Sequence, residues 1–155
     1  MAGMFFEDFV EGEVISHAVT RTVTELDNLL FTTLTMNVQP LHLDKEFAEA
    51  SMYGRILVNS IFTLGVATGI PVHDTTLGTT LGNLGFSDIQ FPAPVFIGDT
   101  LRVETVALEK RLSSSRPGTG IVTIEHRTYN QNDELVCRVQ RAALMACRPE
   151  SGHDA

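Results

Sequence analysis

The chain has 155 residues and a formal net charge of -8, from 11 Lys plus Arg against 19 Asp plus Glu. This length suits one domain that buries roughly two thirds of its unfolded surface, so no framework of disulfides or metals is needed. The acidic balance works against binding to nucleic acid or to an anionic membrane surface.

The two cysteines, Cys137 and Cys147, lie in an apolar run near the C-terminus and form no C-x-x-C pair. We interpret them as reduced, structural thiols of a cytoplasmic protein. The five histidines are scattered, and none has metal-ligand spacing to a cysteine or a carboxylate-rich loop, so no metal site is predicted. No signal-peptide pattern and no apolar run of about 20 residues is present, which predicts a soluble, untargeted protein without membrane contact.

The first part of the chain predicts a cap on the core, a strand and a helix. Residues 4–12 combine aromatic and acidic side chains and are expected to cover one edge of the core. Residues 14–23 are rich in β-branched side chains and predict a first strand. Thr24, with Asp27 three residues later, then resembles a capping box that opens a helix. The leucines that recur behind it at helical spacing are Leu26, Leu29, Leu30 and Leu34.

The next segment, residues 35–44, concentrates polar side chains around a proline. Pro40 lacks a backbone N–H and clashes with a preceding helical turn, so the chain is expected to leave helical geometry and turn here. Asn37, Gln39 and His42 would then lie on a compact polar loop. Asp44 is predicted to cap a second helix over residues 45–52. A histidine held between a turn and a cap suits proton transfer near neutral pH, although a half-buried structural role is the simpler interpretation.

The run from residue 58 to residue 69 is apolar on almost every side. A helix of this kind must be covered by other elements, because each Å² of apolar surface left in water forfeits roughly 25 cal/mol. A sheet curled around the helix would cover it, and the fold class is therefore predicted to be α+β. The strands are expected at residues 79–86, 89–91, 100–112, 120–130 and 135–148.

The remaining segments predict connections and a tail. Residues 130–133 are the clearest hairpin turn, because Asn and Asp tolerate the φ angles that turns require. Residues 113–120 predict a mobile polar loop between two strands. We expect a single domain over residues 1–148 and a disordered tail over residues 149–155.

Three segments resemble one family. Residues 37–42, Asn-Val-Gln-Pro-Leu-His, resemble a signature of aspartate, any residue, asparagine, proline, an aliphatic residue and histidine. This signature belongs to the MaoC-like (R)-specific enoyl-CoA hydratases of the hotdog superfamily. Residues 54–60 resemble the segment that opens the family's central helix, with Asn59-Ser60 in place of His-Gly. Residues 91–100 resemble its Phe-x-x-Pro-Val-Phe-x-Gly-Asp segment. The resemblance implies a hotdog fold, in which an antiparallel sheet curls around a long central helix.

The resemblance also implies the roles of several residues. His42 and Asn37 occupy the positions of the family's catalytic pair, but Asn37 replaces an aspartate, and an amide cannot accept a proton in the useful pH range. Gln39 replaces the family's asparagine, and the backbone N–H of Ser60 is expected to meet the thioester oxygen. The further substrate-binding residues that we predict are Asn59, Thr68 and Arg116, the last for a distal carboxylate or a phosphate of coenzyme A.

The implied function is hydration or dehydration of an enoyl-CoA or 3-hydroxyacyl-CoA thioester, with branched or dicarboxylic esters such as mesaconyl-CoA among the suggested substrates. Two alternatives stay open at this point: a hotdog thioesterase, and a non-catalytic acyl-CoA binding protein that has lost the acid. No cofactor is expected, because coenzyme A is part of the substrate. A homodimer, a dimer of dimers or a higher assembly is expected, because a curled sheet leaves an edge strand open to pairing.

Overall fold

The structure, a computed structural model, describes residues 3–149. A 3-10 turn at Phe6–Asp8 precedes five helices and six strands. The helices are α1 (Glu25–Leu34), α2 (Pro40–Leu43), α3 (Lys45–Ala50), α4 (Ser60–Gly69) and α5 (Val72–Thr75). The strands are β1 (Val14–Ser16), β2 (Arg21–Thr22), β3 (Thr80–Gln90), β4 (Thr100–Leu112), β5 (Thr119–Tyr129) and β6 (Leu135–Ala146).

The strands form one antiparallel sheet in the order β1-β4-β5-β6-β3, and β2 pairs with β4 as well. Helix α4 lies on the buried face of this sheet, where Ala67 packs with Cys137 and Val139 of β6. A curled sheet around one central helix confirms the predicted α+β class. Both cysteines are free thiols.

The apolar core has two main parts on either side of the middle of the sheet. Phe6 and Phe9 pack on the ends of β4, β5 and β6 that lie near the 113–118 loop, which confirms that the N-terminal segment covers an edge of the core. At the other end of the sheet, Val58 and Val136 pack with Phe62 of α4. This second part forms the floor beneath the polar site described below.

A row of polar side chains, buried except for the exposed Asp74 at its end, separates the two apolar parts. Arg141 Nε lies 3.0 Å from His126 Nε2, and His126 Nδ1 lies 2.9 Å from Thr105 Oγ1. Thr105 Oγ1 is also 2.7 Å from His17 Nε2, and His17 Nδ1 is 2.8 Å from Asp74 Oδ2. The Arg141 Nε–H can only donate and the Asp74 carboxylate can only accept. With both imidazoles neutral, each group in the row therefore donates to the next one, from Arg141 to Asp74. Burial, together with the smaller effect of the Arg141 charge, lowers the pKa of His126 to about 3.

Several elements differ from the sequence-based expectation. The predicted first strand is two short strands, β1 and β2, that both pair with β4. The predicted strands at 79–86 and 89–91 are the single strand β3, which continues through three register shifts against β6. Helix α4 begins at Ser60 rather than at Val58, because the Asn59 side chain accepts from the Ile61 N–H and caps the helix there. The short helix α5 was not predicted.

The segment around Pro40 also differs from the prediction of a loop. Helix α1 ends at Leu34, and Met36 adopts a φ of 58°, so the chain does turn before the proline. Pro40 then occupies the first turn of α2, where its missing N–H has no helical acceptor to lose. His42 therefore lies in a single helical turn and not in a loop. The predicted cap is confirmed, because the Asp44 side chain accepts from the Phe47 N–H at the start of α3.

A large apolar surface is exposed on the single chain. The leucines of α1 were recognised by their helical spacing, but Leu34 is 80% exposed and the others are exposed as well. Helix α4 is covered on one side only, and its Ile61 is 53% exposed. Every residue of β3 except Gly82 is exposed, although Leu81, Leu84 and Phe86 are apolar.

Two predictions about the chain as a whole are not decided by the structure. The predicted disordered tail, apart from Pro149, lies outside the described residues, and the single domain over residues 1–148 stays a prediction. Across residues 3–149, none of the helices combines the length and the apolar character that crossing a membrane requires.

Candidate active site

The Leu57 backbone holds the His42 side chain and the helical turn that carries it. The His42 Nδ1 lies 2.7 Å from the carbonyl oxygen of Leu57, and the Leu57 N–H donates to the carbonyl of Leu41 at 3.0 Å. A carbonyl oxygen only accepts, so the neutral imidazole carries its proton on Nδ1. This tautomer leaves the lone pair of Nε2 available to take a proton, which is the form that a general base requires.

Asn28 of α1 connects His42 to the start of the central helix, and sequence reasoning missed it. Its Nδ2 donates to the His42 carbonyl at 3.0 Å, and its Oδ1 accepts from the Asn59 N–H at 2.9 Å. The side chain is 2% exposed, and an unpaired amide at that depth would cost free energy. An asparagine among the leucines of α1 was the available signal, since a polar side chain on an apolar helix face needs partners.

The start of α4 presents unpaired backbone N–H groups. The Asn59 side chain accepts from Ile61 at 3.0 Å, and its Nδ2 lies 3.4 Å from Thr32 Oγ1. Within residues 3–149, no acceptor is bound to the N–H groups of Ser60 and Phe62, which belong to the first turn of this ten-residue helix. The helix dipole adds partial positive charge at this end, so the Ser60 N–H suits a developing oxyanion.

A cavity of about 400 Å³ lies between His42 and the start of α4. Its polar side chains are His42, Tyr53, Ser60 and Thr63, and the remaining wall is apolar. The apolar lining residues are Met52, Leu57, Val58, Phe91, Pro92, Ala93, Pro94, Val95 and Val136. The volume and the composition are those of a small-molecule site with a few polar groups in an apolar wall.

The segment of residues 91–100, which carried part of the resemblance, forms one wall of this cavity. The Val58 N–H donates to the Val95 carbonyl at 2.9 Å and joins this wall to the start of α4. Asp99 is buried, and its Oδ2 accepts from the Phe96 N–H at 2.8 Å, which closes a tight turn. Gly98 adopts a φ of +95° within that turn, a conformation that other residues rarely take. The Gly-Asp pair therefore shapes the wall, and neither of its residues lines the cavity itself.

Asn37 and Gln39 do not line the cavity. The Asn37 Oδ1 accepts from the Gln39 N–H at 3.1 Å, and the Asn37 N–H donates to the Thr32 carbonyl at 3.0 Å. These bonds form the turn that leads from α1 to α2. Gln39 is exposed. Their predicted roles toward substrate stay predictions, and the contacts that the structure shows belong to the turn.

Ser60 lines the cavity, whereas Asn59 caps α4 next to it without lining the cavity, and Thr68 and Arg116 lie elsewhere. The Thr68 hydroxyl donates to the Leu64 carbonyl at 3.1 Å, two turns along α4 from Ser60. Arg116 is exposed on the loop between β4 and β5. Thr119 pairs with Ala146 beside that loop, whereas Val136 of the cavity lies ten residues earlier on β6. That distance is roughly 30 Å along a strand, so Arg116 cannot reach the cavity of its own chain.

No cluster of three or more His, Cys, Asp or Glu side chains with metal-binding geometry occurs in the described part of the chain. The expectation that no metal takes part stays a prediction. The chemistry available at the cavity is that of one imidazole, a helix N-terminus and neutral hydroxyl groups.

Comparison with known proteins places this arrangement in a family. The family described as MaoC like domain matches residues 8–130. A curated relative, mesaconyl-CoA hydratase of Cereibacter sphaeroides, is 33% identical over 147 residues. The match covers 95% of this chain but 42% of that protein, so the chain spans less than half the length of that relative.

Solved structures that are similar to this chain support the same family assignment. The MaoC-like dehydratase of Rhodospirillum rubrum superposes with a TM-score of 0.82 at 30% identity, over 95% of this chain and 99% of that chain. A Mycobacterium tuberculosis protein described as having a double hotdog fold gives a TM-score of 0.85 at 26% identity, over 97% of this chain and 46% of that chain. The sheet curled around α4 is thus a hotdog fold, and the chain belongs to the family of MaoC-like domains.

Proposed function

We propose that the protein hydrates an enoyl-CoA thioester or dehydrates the corresponding 3-hydroxyacyl-CoA. The observation that carries this proposal is the pairing, across one cavity, of an imidazole whose Nε2 is free and a helix N-terminus whose Ser60 N–H is unpaired. The reaction needs a base for water and a donor for the thioester oxygen. Both requirements are met by residues that the fold holds in place.

The proposed step begins with the thioester oxygen hydrogen-bonded to the Ser60 N–H. Water loses a proton to Nε2 of His42, and its oxygen forms a bond to C3 of the acyl chain. The electron pair of the double bond moves to C2, and negative charge develops on the thioester oxygen. The imidazolium then returns a proton to C2, so one water is added and His42 is restored. An oxyanion donor of this kind is worth about 10²- to 10³-fold in rate.

The substrate that we propose is a short ester, and mesaconyl-CoA is the first to assay. This choice is supported by the name of the relative, mesaconyl-CoA hydratase. No Lys or Arg lines the cavity within the described residues. A distal carboxylate buried in the cavity would need a countercharge, which a second chain would have to supply.

The experiment follows two signals with crotonyl-CoA and with mesaconyl-CoA. Loss of the enoyl absorbance without release of free thiol supports a hydratase, whereas thiol release supports a thioesterase. Tight binding with neither signal supports a non-catalytic binding protein. His42→Ala is expected to lower hydration by at least about 10²-fold, because it removes the base. Rates equal to those of the wild type in that variant would refute the assignment.

We also propose that two chains pair through β3. This strand is an edge of the sheet and exposes the apolar residues Leu81 and Leu84, which leaves backbone groups and apolar area open to a partner. The double hotdog protein offers further support, because this chain matches 46% of its length. A second copy of this chain would then occupy the position of the second half of that protein. Any contact of Arg116 with a bound ester requires such a partner.

Sedimentation of wild type and of Leu84→Lys tests the dimer. We expect a dimer for the wild type and a shift toward monomer for Leu84→Lys, because a charge on the strand would lie in the interface. Leu26→Lys, on the exposed face of α1, is the control. A compact wild-type monomer at micromolar concentration would contradict the proposal.

A further inference from the structure

Thr63 is the polar side chain of the cavity that the proposed step does not use. It lies on α4 three residues after Ser60, which places both residues on one face of the helix about 4.5 Å apart along the axis. It lines the cavity, yet the residue is only 1% exposed. Its hydroxyl oxygen is buried and has no hydrogen-bond partner among residues 3–149.

The unpaired hydroxyl of Thr63 is unusual among the helical threonines in the described part of the chain. Three other helical threonines donate to the carbonyl four residues earlier: Thr33 to Leu29, Thr68 to Leu64 and Thr75 to Pro71. A mid-helix threonine normally satisfies its hydroxyl in this way. The hydroxyl of Thr63 does not, so it keeps both its proton and its lone pairs for a group in the cavity.

Two further buried hydroxyls, those of Thr79 and Thr128, also have no partner in the described part of the chain. Neither residue lines the cavity. Thr63 differs from them because a ligand in the cavity can reach it. A buried hydroxyl without a partner costs free energy, which a ligand that hydrogen-bonds to it would recover.

We propose that the Thr63 hydroxyl binds the oxygen that is added to or removed from C3 of the acyl chain. This inference rests on the proposed hydratase function. With the thioester oxygen at the Ser60 N–H, C3 lies two bonds from the thioester carbon, and Thr63 lies one turn further along the same helix face. Thr63 thus orients the water that His42 deprotonates, or holds the 3-hydroxyl group in the reverse direction. The Asn37 side chain, which the family resemblance places in the catalytic pair, does not line the cavity.

The kinetic test compares Thr63→Val with wild type in both directions, using crotonyl-CoA and 3-hydroxybutyryl-CoA. One hydrogen bond to the reacting oxygen corresponds to about a 10- to 100-fold loss of kcat/KM, and the equilibrium constant requires the same loss in both directions. In hydration the loss is expected in kcat, because Thr63 touches the water and not the enoyl ester. In dehydration it is expected in KM, because the hydroxyl is part of the bound substrate.

Two control variants distinguish the effect of losing the Thr63 hydroxyl from the effect of altered packing. Thr63→Ser keeps the hydroxyl and is expected to retain most of the activity. Thr33→Val removes a helical hydroxyl that already donates to a backbone carbonyl, on α1 and outside the cavity, and its kcat/KM is expected to stay within about twofold. Thr63→Val is expected to melt no lower than the wild type, because its methyl replaces a hydroxyl without a partner in the fold.

A binding measurement tests Thr63 independently of turnover. In a His42→Ala background, 3-hydroxybutyryl-CoA is expected to bind more tightly than butyryl-CoA, and Thr63→Val is expected to abolish the difference. The inference is overturned if Thr63→Val leaves the difference unchanged, or if it weakens both esters equally, which would indicate a change of cavity shape. Absence of hydration in the wild type, with the binding difference intact, would refute the proposed function and leave the hydroxyl-binding role of Thr63 standing.

Discussion

The buried row that includes His126 predicts how the stability of the protein depends on pH. His126 is fully buried, and burial together with the Arg141 charge lowers its pKa from 6.5 to about 3. Protonation would place a second donor, Nε2–H, against the Arg141 Nε–H, which now donates to it. The folded protein therefore keeps His126 neutral at pH values where the unfolded chain is protonated.

The sign and size of the effect follow from proton linkage. Between pH 6.5 and pH 3 the unfolded state binds the proton and the folded state does not, so the free energy of unfolding falls as pH falls. With the pKa values of 6.5 and about 3, the loss at pH 5 relative to pH 7.5 is about 2 kcal/mol. The carboxyls whose pKa is lowered, such as Asp8 and Asp27, add their losses at lower pH, so pH 5 isolates the histidine.

Urea unfolding at pH 7.5 and pH 5, at one protein concentration, measures this difference. His126→Gln removes the titrating group but keeps an acceptor and a donor, and its unfolding free energy is expected to depend on pH by about 2 kcal/mol less than that of the wild type. A His126→Gln variant that retained the full loss at pH 5 would show that the reasoning about the buried row is wrong.

Three further predictions concern the site. Asn28→Ala leaves the His42 carbonyl and the buried Asn59 N–H unpaired. Urea unfolding is expected to show a free energy of unfolding lower by about 2–4 kcal/mol. Steady-state kinetics are expected to show kcat lower by about tenfold with little change in KM. Asn37→Asp keeps the acceptor for the Gln39 N–H and is expected to change kcat/KM by less than about threefold, since the side chain lies outside the cavity. If a partner chain supplies Arg116, Arg116→Ala is expected to raise KM for the CoA ester more than it lowers kcat. The increase in KM is expected to be smaller at high salt. An unchanged KM would show that Arg116 is an exposed loop residue that does not contact the ester.

Local chemistry in the sequence was sufficient for the elements whose signals are local. Thr24 and Asp44 begin α1 and α3 as predicted, because a side-chain oxygen before a helix accepts from its free N–H groups whatever lies around it. The strand predicted at 100–112 agrees with the structure, because alternation of side chains is read directly from the residues. A turn after α1 was predicted and is present, but the prediction that the chain leaves helical geometry at Pro40 was wrong, because Pro40 begins the helical turn α2.

Resemblance and local chemistry together identified part of the site. His42 and Ser60 were predicted and lie on one cavity, since each belongs to a contiguous segment whose shape is set by its own turn or cap. Thr68 and Arg116 were predicted from the same resemblance, but they lie outside that cavity within one chain. Sequence position alone does not say which end of a strand a loop occupies.

The sequence by itself determined the fold class and the family, and it identified His42 as the candidate base, because these inferences depend on patterns within short segments. Only the tertiary structure revealed that Asn28 joins His42 to α4, that the buried hydroxyl of Thr63 has no partner among residues 3–149, and that His17 and His126 share one polar row. Each of these relations depends on residues distant in sequence, or on burial, which a local pattern does not encode. The physical reason is that a polar group becomes costly or functional only once its neighbours have excluded water.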